Sequence, residues 1–302
     1  MSAQPARSSS DTAPDPHHRA KAVAEEVRGL VSPPDVCMRV LELVRSERAS
    51  ADDIAQVVAT DPALTVRLLR IVNSPLYGLR GRIETVPRAV TVLGIDALTS
   101  LVVAVSAVAS FGRIPSKLVN MDTFWRHGVL CGLIARALAR RARVLHPERL
   151  FTAGLLHDIG SLVLYHQVPD TMRGLLTAAD GAEQRLYDAE LATFGYAHAQ
   201  LGGLLLESWG LPATLHDAVT WHHEPARAEH APIEAAILHL AEKLANHGGL
   251  GAYCEGAADE PPPPEADWLA CGLEVSESDL EDLLGQAGQE FGEVVALLAV
   301  RR

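Results

Sequence analysis

Aromatic residues make up only 5% of this 302-residue chain, so any core must rest on Leu, Val, Ala and Ile. Cysteine is scarce as well. Cys37, Cys131, Cys254 and Cys271 are scattered and form no CxxC pair. That excludes a disulfide framework or a zinc knuckle and reads as free thiols in a reducing compartment. Basic residues are outnumbered, leaving a formal net charge of −12. Such a balance argues against a nucleic-acid surface and gives no electrostatic reason to expect an anionic membrane. The greasiest stretch, Leu101 to Ala109, is interrupted by Ser106. It is about half of a membrane span and reads as a buried core helix. The first twenty residues are rich in Ser, Pro and Asp with no apolar leader segment, so the expected location is cytoplasmic. Sustained period-2 alternation is also missing, which leaves helices as the building material.

What is present is helical patterning with local stop and start signals. Ser50 with Asp53 three residues on is a capping box, followed by the stripe Ile54, Val57 and Val58. Asp61-Pro62 supplies an N-cap and a proline at the first helical position, and Asn73-Ser74-Pro75 ends that helix. Thr85 with Pro87 starts the next helix, and Asp96 is expected to cap the one after it. The cluster Arg136, Arg140, Arg141 and Arg143 reads as a solvated helix face. The expected organisation is a disordered tail over 1–25 and an N-terminal helical subdomain over 26–115. A second helical subdomain over 116–250, a Pro-rich connector over 251–266 and a short acidic helical segment within 267–302 follow. The fold class is all-α.

The chemistry concentrates in the second block. His157-Asp158 ends a hydrophobic run, and both side chains ligate divalent metals. His127 shares a helix face with Leu130 and Ile134, and His198 is aligned with Leu201 and Leu205. Gly202 and Gly203 on that helix allow another backbone to approach closely. His222-His223 closes a helix whose apolar face includes Leu215, Ala218 and Val219. Glu242 shares a side with Leu238. Four helices thus each offer an imidazole or a His-Asp pair, and a fifth adds a carboxylate, which is one way to build a metal site in a bundle core. A single core histidine is more commonly structural, and His146, His216 and His230 are read as loop or surface residues.

These residues resemble a known family. Asp61-Pro62-Ala63-Leu64, Asn73-Ser74-Pro75-Leu76-Tyr77-Gly78, Val92-Leu93-Gly94, Phe124-Trp125-Arg126-His127, Gly154 to Gly160, Trp209-Gly210-Leu211-Pro212 and His222-His223 are similar to the HDOD family of signalling domains over about residues 30 to 290. The second block also resembles the HD superfamily of metal-dependent phosphohydrolases. The resemblance implies an all-helical HD-like bundle with an N-terminal helical subdomain. It implies His127, His157 and Asp158 as metal ligands, with His198, His222 and His223 matching the extra histidines of the HD-GYP branch. Glu242 stands where HD enzymes place an aspartate. Two departures bear on catalysis: Ser161 replaces the lysine of His-Asp-Ile-Gly-Lys, and no Gly-Tyr-Pro follows His222-His223-Glu224-Pro225.

The resulting expectation is a regulatory protein without catalytic residues or an organic cofactor site. It would bind a signalling protein or a nucleotide second messenger, with no nucleic acid and no membrane, and with a homodimer allowed. The seven ligands would hold one or two divalent transition-metal ions (Fe, Mn, Ni or Zn). The alternatives are a metal-dependent phosphohydrolase acting on a cyclic dinucleotide or another phosphodiester, and a purely structural metal site.

Overall fold

Short capped helices follow one another along the chain, and the caps explain where each begins. A computed structural model describes residues 16–27, 34–46, 50–111, 118–248, 251, 263–274 and 277–298, apart from the side chains of residues 16, 17, 277 and 278. Among the described residues there is no strand, and the fold is all-α. The first block runs through α1 (Pro16–Val27), α2 (Asp35–Arg45), α3 (Ala51–Ala59), α4 (Pro62–Val72), α5 (Val86–Leu93) and α6 (Ile95–Phe111). Ser50 and Asp53 form the full capping box of α3. The carboxylate of Asp61 accepts from the Leu64 amide at 3.0 Å, and Thr85 caps α5.

The Asn73 to Gly78 motif proves to be a structural clamp. The Asn73 amide donates to the Ile83 carbonyl at 2.8 Å and accepts from the Ile83 amide at 2.7 Å. This holds the loop after α4 so that Leu76 is fully buried. Helix α6 lies against α2, α4, α5 and α8. Leu101 to Val108 is covered on every side within the chain, so its apolarity needs no second copy. Among the described residues no helix is long and apolar enough to cross a membrane.

The second block comprises α7 (Met121–Arg141), α8 (Glu148–Leu156), α9 (Ile159–Gln167), α10 (Pro169–Ala179), α11 (Glu183–Phe194), α12 (His198–Ser208), α13 (Ala213–Thr220) and, after a 3-10 turn at Pro225–Arg227, α14 (Pro232–His247). Two further helices, α15 (Glu265–Ala270) and α16 (Glu277–Leu298), follow. Helix α7 is the hub: α8, α14 and α16 all pack on it, while α12 packs on α9, α13 and α1.

Four expectations need correction. Residues 16–25 are not tail but most of α1, whose buried Ala20 and Ala24, one turn apart, let it sit on α12; residues 1–15 lie outside the described residues. Asp96 is in the first turn of α6 and pairs with Arg149 at 2.5 Å instead of capping. Within the arginine cluster, Arg136 departs from the expected solvated face: it is buried and donates to Glu290 of α16 at 2.5 Å, whereas Arg140, Arg141 and Arg143 are exposed. Arg140 and Arg141 pair with Glu148 and Asp279. The C-terminal helix is long, 22 residues, and its Asp279 and Glu290 pair with Arg141 and Arg136 of α7. Of the Pro-rich connector, residues 252–262 lie outside the described residues.

Candidate metal centre

Glycines bring the ligand-bearing backbones together. A Cβ on Gly154 of α8 would stand 2.5 Å from the Gly132 backbone of α7, and one on Gly128 would stand 2.8 Å from the Leu155 carbonyl oxygen. Real Cβ atoms do not approach that closely, so only glycine permits this α7–α8 contact. On α9, Gly160 lies against the His198 carbonyl and the Gly202 amide, and Gly203 of α12 lies against Thr220 of α13. The close approach read from Gly202 and Gly203 is therefore present.

This packing gathers all seven expected ligands in one place, though not all on helices. His157-Asp158 sits at the junction between α8 and α9, His198 is the first residue of α12, and His222-His223 lies in the turn just past α13. Only His127 and Glu242 are mid-helix. Helix ends suit the task because adjacent residues there can point the same way, as two neighbours within a helix, about 100° apart, do less well. His127 Nε2 lies 3.3 Å from His157 Nε2. Asp158 Oδ2 is 3.2 Å from His157 Nε2 and 3.8 Å from His127 Nε2. Its other oxygen, Oδ1, is 3.3 Å from His198 Nε2, which is 3.0 Å from His223 Nε2. Glu242 closes the far side, 3.9 Å from His222 Nε2 and 3.7 Å from His223 Nε2. All seven side chains are buried, with exposures between 0 and 8%.

The outer hydrogen bonds set which nitrogen faces inward. His157 Nδ1 is 2.7 Å from the Gly154 carbonyl and His222 Nδ1 is 2.6 Å from the Val219 carbonyl. A carbonyl only accepts, so both Nδ1 atoms carry a proton, and both rings turn Nε2 inward. Glu190 does the same for His198, accepting from its Nδ1 at 2.7 Å and from its backbone amide at 2.8 Å. Burial pushes His222 and His223 well below the ordinary histidine range, helped by the neighbouring imidazoles. Burial also opposes charge on His198, but Glu190, Asp158 and Glu242 outweigh it and raise its pKa to about 9. Its Nε2 thus carries either a proton or a cation at neutral pH. Burial would raise Asp158; His157, His198 and His127 outweigh it and hold the carboxyl well below the usual range.

Neither Asp158 oxygen has a hydrogen-bond partner, and nor does His222 Nε2. An ionised carboxylate taken out of water without compensation costs several kcal/mol. Here it faces inward-turned ring nitrogens of His157, His127 and His198. A divalent cation satisfies carboxylate and lone pairs at once, so the residues fit a transition metal held by nitrogen and oxygen.

Three participants were not singled out from the sequence. Glu190 orients His198, Tyr187 stacks on His223 with ring centroids 4.3 Å apart, and Cys131 Sγ lies 3.3 Å from His127 Nε2. Glu183, Leu186, Tyr187 and Glu190 share one buried face of α11. Two acids on an otherwise apolar helical stripe were the available signal. His146 and His230 are exposed and His216 half-buried, away from the centre, as expected. Cys37, Cys131 and Cys271 are free thiols.

Fold and site together define an all-helical protein built around a buried histidine–carboxylate centre of metal-ligating composition. The HDOD domain model matches residues 30–225, and the chain belongs to the HDOD domain family. It is similar to a protein of Shewanella amazonensis SB2B provisionally named a phosphohydrolase: 26% identity, TM-score 0.71, covering 92% of this chain and 98% of that one. An HDOD domain protein of unknown function from Geobacter sulfurreducens shares the fold at 23% identity and TM-score 0.67, covering 93% and 97%. An uncharacterized protein of Treponema pallidum (strain Nichols) is 25% identical over 71% of this chain, which spans 41% of that relative's length.

Proposed function

We propose that this is a regulatory HDOD protein without catalytic activity, which binds a signalling protein or a nucleotide second messenger through its helical body. The observation that carries this reading is closure of the centre. All seven candidate ligands are buried, and Tyr187 covers the His198–His223 pair. The Tyr187 hydroxyl donates to Glu224 at 2.7 Å and accepts from Gln200 at 3.0 Å, so the ring is held from both sides. That ring closes the His198–His223 side of the centre to an incoming phosphodiester. Ser161, in place of a phosphate-holding lysine, is itself buried and offers no cation to an incoming anion.

In this reading His127, His157, Asp158, His198, His222, His223 and Glu242 hold one or two divalent ions that lock the helices in place. When bound, such an ion supplies a positive centre able to polarise a phosphate ester, and that supports a second reading as a metal-dependent phosphohydrolase. The unpartnered Asp158 carboxylate and the similarity to the Shewanella protein favour it. The deciding assay supplies purified protein with manganese or iron and either cyclic di-GMP or a general phosphodiester. No turnover is expected. Hydrolysis that disappears in Asp158→Ala would overturn the regulatory reading.

A further inference from the structure

We infer that Cys131 is a metal ligand, and that its thiolate completes one of two unequal subsites in the centre. The inference rests on the metal-bearing reading above and deepens it. Cys131 follows His127 by one turn of α7, so both side chains leave the helix on the same face. Both are fully buried. Cys131 Sγ, a His127 nitrogen and a His157 nitrogen all lie within 4.8 Å of one another.

The separations fit one ion. Ligands about 2.0–2.3 Å from a tetrahedral metal stand roughly 3.3–3.6 Å apart. The observed values are 3.3 Å for Cys131 Sγ to His127 Nε2 and 3.3 Å for His127 Nε2 to His157 Nε2. Asp158 Oδ2 follows at 3.2 Å from His157 and 3.8 Å from His127. That carboxylate is independent evidence of a cation here, because it is buried, aimed at these atoms and has no hydrogen-bond donor.

Asp158 then bridges. Its Oδ2 faces the Cys131 subsite, while Oδ1 faces His198, which groups with His222 and His223 within 4.8 Å. The two subsites differ in kind. The first has four protein ligands including a soft thiolate, so it favours zinc or cobalt over manganese or magnesium and leaves no position open. Four-ligand closed sites are structural in character, whereas catalytic ones keep a vacancy. The second is made of nitrogen and oxygen only. On binding, the Cys131 thiol gives its proton to solvent and the Sγ–metal bond forms; no redox step is involved.

The test is spectroscopic and uses the full chain. Loaded with cobalt(II), the wild type is expected to show an intense near-ultraviolet thiolate-to-cobalt charge-transfer band. Loaded with zinc, its X-ray absorption is expected to show a sulfur scatterer at about 2.3 Å. Both signals should vanish in Cys131→Ser and persist in Cys37→Ser. The wild-type spectra need no variant, so misfolding of Cys131→Ser would not blunt the test. Stoichiometric uptake of either ion with nitrogen and oxygen scatterers alone overturns Cys131 as a ligand and leaves the metal centre standing. Failure to take up either ion overturns the metal reading itself, and this inference with it.

Discussion

Helices α2 to α6 bury Val40, Leu41, Ile54, Leu68, Ile71 and Leu76, with Ser74, Thr99, Ser100 and Ser106 as their only buried polar residues among those described. Helices α7 to α14 bury Arg136, Asp158, Glu183, Glu190, Asp217, Glu242 and five histidines. The two blocks have similar helices and similar caps, yet they solve different problems. Apolar area removed from water is enough to hold the first block together. The second has spent part of its interior on groups that hydrocarbon packing cannot satisfy. On the metal-bearing reading proposed above, the stability of the second block is conditional on the ion that answers the Asp158 carboxylate, and that of the first is not.

The largest expected effect tests the unconditional half. Leu68 is fully buried in α4, and Leu68→Ala should lower stability by about 2–5 kcal/mol. That loss should be the same before and after chelation, with metal content unchanged. A metal-dependent loss in chemical denaturation would show that the blocks are not separable in this way. Next comes removal of the ion. With free metal at about 100 times its dissociation constant, binding contributes roughly 2.7 kcal/mol. Stripping it should therefore lower the melting temperature by roughly 4 °C. A calorimetric scan unchanged by exhaustive chelation of a metal-loaded sample would erase the contrast.

Local chemistry was legible in the sequence, and long-range partnership was not. Ser50 with Asp53, Asp61 with Pro62, and Thr85 signal helix starts within four residues, and each acts as read. The seven candidate ligands were legible as a cluster because a histidine or acid on an apolar stripe stands out against Leu and Val. Their exact seats were not: a helix pattern cannot show that α8 stops at Leu156 or that α13 ends before His222. Arg136 reads as surface until Glu290, 154 residues away, is found beside it. Cys131 looks like an ordinary core thiol until the Gly132–Gly154 contact sets its neighbours.

Glu190 sharpens the contrast from inside the second block. It touches His198 and its backbone amide but is not placed to ligate through the oxygen that makes those bonds. Glu190→Gln keeps the shape and removes the charge that orients the ring. Loss of such an outer partner typically weakens metal binding about 10–100-fold, or roughly 1.4–2.7 kcal/mol. Competition with a chelator of known affinity measures this directly. An unchanged affinity would mean that His198 is held by packing alone.

The smallest effect is expected where the blocks meet. Arg149 of α8 donates to Asp96 of α6 at 2.5 Å, but the two side chains are 24% and 53% exposed. Exposed pairs contribute about 0.2–1 kcal/mol and weaken with salt. Asp96 also lies in the first turn of α6, where a negative charge is favourable by about 0.3–1 kcal/mol. Asp96→Asn removes both contributions, whereas Arg149→Met removes only the pair and keeps the helix-end charge. Asp96→Asn should thus be the more destabilising of the two at low salt, and the gap between them should shrink in high salt, because the helix-end contribution is screened as well. Equal effects that both vanish in salt would mean the ion pair is the whole contribution. Losses well above 1 kcal/mol would mean the junction is held by this pair and not by the buried face of α6.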